Sequence, residues 1–126
     1  MKIRVAQKKD LMFYLLIRNL PSLSRSSKPI GIKSHEEWFK KHYKTYYTIT
    51  EKGNQIGYVR LEPFYQVSVS VLPRHRKNGI AYRAIKQFLN KKLFAVIHDD
   101  NIASLGLFKK LGFKKDVSGF NCYFNE

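Results

Sequence analysis

The chain has 126 residues, 44% hydrophobic and 26% charged, which suits one globular domain spanning 1–126 and excludes an unfolded tail. Its 24 Lys and Arg against 9 Asp and Glu give a net charge of +15, which points to an anionic partner, a phosphate-bearing ligand or a nucleic acid. No apolar run approaches the roughly 18 to 20 residues that span a bilayer, MKIRVAQKKD lacks the apolar core of a signal peptide, and one cysteine, Cys122, allows neither an internal disulfide nor a zinc-ligand spacing.

A cytoplasmic protein without membrane contact or metal is therefore expected. The Lys pairs at 8–9, 40–41, 91–92, 109–110 and 114–115 are scattered and form no single block, so nucleic acid is possible as a partner but not favoured.

Residues 2 to 7 alternate weakly and predict a first strand. Asp10 then stands where it could cap a helix through Leu11, Tyr14, Leu15 and Arg18. Pro21 to Gly31, rich in Ser, Pro and Gly, is a loop. Ser34 with Glu37 three residues on has capping-box spacing, which predicts the start of a second helix carrying Trp38, Phe39 and His42.

After residue 45 the period changes to two. YYTIT, the turn EKGNQ, IGYVRLE and YQVSVSVLP read as an antiparallel meander. Residues 79 to 89 place Ile80, Ala84, Ile85 and Phe88 at helical spacing, and LFAVI from Leu93 is a short buried strand. Strand, helix and strand from Val67 to Ile97 make a right-handed βαβ unit. A helix from about Asn101 to Leu111, a strand at GFKKD and a strand at FNCYF across a VSG turn close the chain. The class is α/β (α+β): a mixed central sheet of about seven strands with about four helices, in the order β-α-α-β-β-β-α-β-α-β-β.

The chemistry-bearing stretch is RKNGIA, Arg76 to Ala81, between a Val-rich strand and a helix. Unpaired N–H groups and the dipole at a helix start favour phosphate. Gly79 permits close backbone approach, Ala81 keeps the next position small, and Arg74, Arg76 and Lys77 add charge. One glycine among basic residues also occurs at strand-to-helix turns that bind nothing. Neither GxGxxG nor GxxxxGK[ST] occurs.

RKNGIA, following Leu72-Pro73, resembles the Gln/Arg-x-x-Gly-x-Gly/Ala pyrophosphate loop of the GNAT acetyltransferases. NIASLGLFKKLGF, with Asn101, Ser104, Leu107, Phe108, Lys110, Gly112 and Phe113, resembles the second motif of that family about 20 residues downstream. The resemblance implies an acetyl-CoA-dependent N-acetyltransferase that passes acetyl directly to a primary amine. Arg76, Lys77, Asn78, Gly79, Ile80 and Ala81 would hold the pyrophosphate. Backbone groups of Val71 and Leu72 would pair with the pantetheine arm at an open strand edge, where an N–H can polarise the thioester carbonyl. Asn101 and Phe108 would reach the coenzyme from the other side.

Ile17-Arg18-Asn19, His35-Glu36-Glu37-Trp38-Phe39 and Ile56-Gly57-Tyr58-Val59-Arg60 resemble a subgroup that acetylates nucleotide-linked amino sugars. This implies Arg18, Asn19, His35 and Trp38 as contacts to a small anionic acceptor, although Trp38 and Phe39 also suit a helix core. The alternatives are an acetyltransferase for RNA or protein, such as tRNA or a ribosomal protein, and a silent acyl-CoA-binding domain; a homodimer is possible. Candidate bases are His98 and Glu62, each at a strand end. Many relatives carry tyrosine at the place of Phe108 to protonate the leaving thiolate, which phenylalanine cannot do. Cys122 reads as a small core residue.

Overall fold

The computed structural model describes residues 1–20, 28–116 and 121–125. Strand β1 (Lys2–Val5) leads through a 3-10 turn into helix α1 (Leu11–Arg18), and helix α2 (Ile32–His42) follows. Strands β2 (Tyr46–Glu51), β3 (Asn54–Leu61) and β4 (Val67–Val71) form the expected meander. Helix α3 (Ile80–Lys86), β5 (Phe94–Val96), helix α4 (Ile102–Lys110), β6 (Lys114–Lys115) and β7 (Cys122–Phe124) complete the expected order. Most of the Pro21–Gly31 loop, the VSG turn and Phe120 lie outside the described residues.

The seven strands form two sheets instead of one. An antiparallel sheet runs β1-β2-β3-β4 and a second runs β5-β7-β6. A parallel bridge between Gln66 and Phe94 joins them, and past it β4 and β5 form no further ladder among the described residues. The βαβ unit is thus present, with its two strands touching at one end only.

Side-chain alternation gives the first sheet two different faces. Ile49, Val59, Val67 and Val71 turn towards Ile80, Ala84, Ile85 and Phe88 of the α3 segment and towards Phe108, in the larger core cluster. The other face carries Tyr46, Thr48, Tyr58, Arg60, Ser68 and Ser70, and Tyr46 packs with Phe13, Tyr14 and Ile17 of α1 and Phe39 of α2. Helices α1 and α2 therefore cover one side of the sheet, α3 and α4 the other.

Two expected caps are not formed. Asp10 precedes α1, but its buried carboxylate turns back to the sheet. It accepts from Arg4 Nη1 (2.7 Å) and Nη2 (2.8 Å), Gln55 Nε2 (2.9 Å), the Gln7 N–H (2.9 Å) and Thr48 Oγ1 (3.1 Å). A buried carboxylate is stable only when its oxygens are filled and its charge met, and this set does both. Helix α2 begins at Ile32 after Gly31, so Ser34 and Glu37 lie inside the helix and do not frame its start. The apolar seam of α2 decides this, because His35 and Phe39, four apart, are its buried residues.

Candidate active site

The hydrogen-bond parity of β4 locates the open edge. Glu62 N–H donates to Gln66 O (3.0 Å) and Leu72 N–H to Ile56 O (2.8 Å), so Glu62–Gln66 and Ile56–Leu72 are hydrogen-bonded positions across β3 and β4. The intervening pairs Leu61–Val67, Val59–Val69 and Gly57–Val71 then point their amide groups away from each other. Val69 and Val71 thereby turn N–H and C=O towards the gap beside β5.

This corrects one expected contact and adds another. Leu72 spends its N–H on Ile56, and Val69 takes its place beside Val71. The Val71 carbonyl itself accepts from Arg76 Nε at 2.9 Å. Residue parity along VSVSV held the signal: residues two apart share an edge, adjacent ones do not.

The loop that follows has the donors that phosphate needs. The backbone N–H groups of Lys77 to Tyr82 make no backbone hydrogen bond among the described residues. Gly79 adopts φ 73°, a left-handed conformation that other residues enter only with strain. A Cβ there would meet no heavy atom within 4 Å, so the glycine serves the backbone turn, and open space lies over it. Arg83 fastens the loop from below through Nε to Gly79 O (3.4 Å) and Nη2 to Asn78 O (3.3 Å). Beside the loop, towards the β2–β3 turn, a cavity of about 610 Å³ has Lys52, Arg74, His75, Asn78 and Arg83 in its walls, and also the Glu51 carboxylate. The N–H groups of the loop and the open space over Gly79 fit a pyrophosphate.

The second motif is placed differently from expectation. Asn101 is the N-cap of α4 and its side-chain oxygen accepts from Ser104 N–H (3.2 Å). Its amide N–H₂ is left to reach outward. Phe108 is 4% exposed and lies edge-on to Phe113, with ring centres 4.9 Å apart. Phe113 N–H also closes back onto Phe108 O (2.9 Å) and Gly112 N–H onto Lys109 O (3.0 Å), which is the helix-ending motif that favours such a contact. The ring is a core residue of the cluster that contains Val71.

On the opposite face Arg18, His35 and Trp38 come together. The Arg18 guanidinium lies 3.7 Å from the Trp38 ring centre and its Nη1 is 3.0 Å from His35 Nδ1. Burial draws Arg18 below its ordinary pKa. Trp38 meets Tyr46 edge-on (5.6 Å) and Tyr46 meets Tyr58 (5.1 Å), and Ser70 on β4 donates to the Tyr58 hydroxyl (3.3 Å). A continuous aromatic path thus runs from Arg18 to the strand with the open edge.

His35 is 0% exposed, with both ring nitrogens engaged. It therefore does not meet the expectation of an acceptor contact. Asn19 does not either: it clamps Ile30 in both directions, Nδ2 to O (3.0 Å) and N–H to Oδ1 (2.6 Å), so that it fixes the ends of the loop between them.

The two candidate bases lie at opposite ends of the β4–β5 gap. Glu62 stands beside the closed end at Gln66, with Oε1 3.3 Å from Arg60 Nε. His98 is exposed beyond the C-terminal end of β5. Tyr46, Ser68 and Ser70 were not singled out from sequence, and Tyr58 and Arg60 only as part of the 56–60 resemblance. Their signal is their even numbering on three paired strands, which puts them on one face.

Residues 12–113 match the sequence profile of the Acetyltransferase (GNAT) family. Solved structures agree in fold. A Staphylococcus aureus N-acetyltransferase is 26% identical over 90% of this chain and 82% of its own, with TM-score 0.71. A Brucella melitensis ribosomal-protein-alanine N-acetyltransferase is 21% identical over 92% and 86%, with TM-score 0.75. The Vibrio cholerae spermidine N-acetyltransferase, solved with CoA and spermine, is 17% identical over 98% and 90%, with TM-score 0.76. No curated protein sequence matches the chain. The chain belongs to the GNAT acetyltransferase family, and its co-substrate is acetyl-CoA.

Proposed function

We propose that the acceptor is a small primary amine carrying an anionic group, a nucleotide-linked amino sugar being the class that residues 17–19, 35–39 and 56–60 resemble. The observation that carries it is the state of Arg18. Among the described residues, Arg4 is paired with Asp10 and Arg60 with Glu62, whereas Arg18 touches only a neutral imidazole and an indole face. A half-buried cation left without a carboxylate is a ready seat for a carboxylate or phosphate. The same positive charge, with +15 on the whole chain, disfavours a polyamine through repulsion.

The open edge and the loop support the following roles. Val69 and Val71 at the open edge hold the pantetheine arm, and the N–H groups of 77–82 with Arg76 and Lys77 hold the pyrophosphate. The neutral amine attacks the thioester carbonyl carbon: the N–C bond forms, the C–S bond breaks, and an edge N–H steadies the oxygen as charge develops on it. Glu62, oriented by Arg60, takes the amine proton directly or through water. Phe108 offers no proton, so the sulfur leaves as thiolate and is protonated by water, which a reference thiol pKa near 8.5 tolerates.

The test is release of free CoA thiol with nucleotide-linked amino sugars, polyamines, peptides and tRNA as acceptors. The highest kcat/KM is expected for an anionic acceptor, and it should fall on Arg18→Gln with the KM for acetyl-CoA unchanged. Turnover confined to polyamines, peptides or tRNA refutes the assignment.

A further inference from the structure

His35 sits on α2 and faces α1. Its Nε2 is 2.7 Å from Leu11 O. A carbonyl only accepts, so Nε2 carries the proton. Its Nδ1 is 3.0 Å from Arg18 Nη1, and a guanidinium only donates, so Nδ1 presents its lone pair. The backbone of α1 thus fixes the tautomer that the side chain of α1 requires. The imidazole also stacks on Trp38 (5.7 Å, 27°) and lies against Phe39 (5.7 Å), so it cannot turn without opening the α1–α2 seam.

We propose that His35 is a positioning residue for the acceptor: neutral, it holds Arg18 flat on Trp38 to receive the anionic group, and protonation at Nδ1 releases that hold. The proposal rests on the assignment of Arg18 above. A proton on Nδ1 removes the lone pair and sets a second positive charge against the guanidinium at hydrogen-bond distance. Arg18 then has only the indole face to hold it, and repulsion drives it off.

The groups facing the ring are Arg18 and the Leu11 carbonyl from α1, and Glu36, Trp38 and Phe39 from α2. Burial, then the Arg18 charge, draw the imidazole below its ordinary 6.5, against the Leu11 hydrogen bond and Glu36. The hold is therefore present at neutral pH and is lost as the pH falls below that ordinary value.

Trp38 is the only tryptophan of the chain and reports this site by its fluorescence. His42, whose ring lies 5.4 Å from the same indole, is replaced in all proteins by His42→Gln so that His35 is the one imidazole beside Trp38. Inorganic pyrophosphate is titrated against Trp38 emission with CoA saturating, so that the 76–81 loop is already filled. A saturable response is expected at neutral pH.

Its affinity should drop about tenfold or more in Arg18→Gln and in His35→Leu. His35→Gln, which can donate to Leu11 and accept from Arg18, should stay close to the parent. Acidification should weaken pyrophosphate more in the parent than in His35→Gln, the ligand's own protonation being common to both. Absence of a response, parental affinity in His35→Leu, or an equal acid loss in His35→Gln overturns the proposal, and the last decides the matter even if His35→Leu does not fold. The signal does not depend on acetyl transfer. Failed turnover with an intact response would fault the acceptor assignment and leave the role of His35 standing.

Discussion

Arg76 Nε donates to Val71 O at 2.9 Å, so the loop that opens α3 is tied to the strand edge proposed above for the pantetheine arm. Arg76→Leu removes this tie and one positive charge near the pyrophosphate. The KM for acetyl-CoA is expected to rise about tenfold or more, since a charge-assisted bond is lost. Arg76→Lys should recover only part, because an ammonium lacks the planar fork. Steady-state kinetics at saturating acceptor measures both; an unmoved KM in Arg76→Leu would mean that the tie is idle.

Gly79 at φ 73° separates backbone need from ligand need. Gly79→Ala should lower folding stability by about 1 kcal/mol, although nothing stands within 4 Å of the added carbon. Gly79→Asn, which tolerates the left-handed region better, should fold closer to the parent and still lose CoA affinity, because its side chain enters the open space over the loop. Melting curves with and without CoA give both quantities. Full CoA stabilisation of Gly79→Asn would place the phosphates elsewhere.

The element order could be read from sequence because the periods of YYTIT, IGYVRLE and VSVSV are set by side chains that face one core. RKNGIA could be read as a strand-to-helix turn because Leu72-Pro73 ends the strand and Ile80, Ala84 and Ile85 then take helical spacing; the phosphate role came from the family resemblance and not from the residues alone. Parity hid the rest. That Val69 and not Leu72 shares the edge with Val71 depends on the register with Ile56 and Glu62, which no local pattern records. The tautomer of His35 depends on a carbonyl at Leu11, 24 residues away. Asp10 looked like a cap because the Arg4, Thr48 and Gln55 that claim it are brought close only by the sheet.

Phe108 is buried against Phe113 in the larger core cluster, so Phe108→Tyr tests placement as well as chemistry. A hydroxyl buried there without a partner should cost about 1 to 3 kcal/mol, and kcat should not rise. Phe108→Ala should cost roughly 3 to 5 kcal/mol through the cavity it leaves. Thermal melts and turnover decide. A clear gain in kcat for Phe108→Tyr at unchanged stability would show that the ring edge faces the leaving sulfur.

Asp10 makes stability depend on acid. Burial alone would raise its carboxyl, but hydrogen bonds from Arg4, Gln55 and the Gln7 N–H, with the Arg4 charge, hold it well below the ordinary 3.8. Its stabilisation is therefore complete above that ordinary value and is lost as the pH falls from there towards the depressed folded value. Asp10→Asn should lose about 3 kcal/mol or more at neutral pH, because Arg4 is left without its charge partner, and should show a shallower acid slope. Denaturant melts from neutral to strongly acid pH measure this; parallel slopes in the two proteins would assign the acid sensitivity to other groups.

Amide chemical shifts on titration with CoA read directly where the coenzyme lies. Saturable shifts are expected at Val69 and Val71 and at Lys77 to Ala81, with those of β1 unmoved. A titration that moves Leu72 but not Val69 and Val71, or leaves the 77–81 amides unmoved while CoA binds, would contradict the open edge and the phosphate loop together.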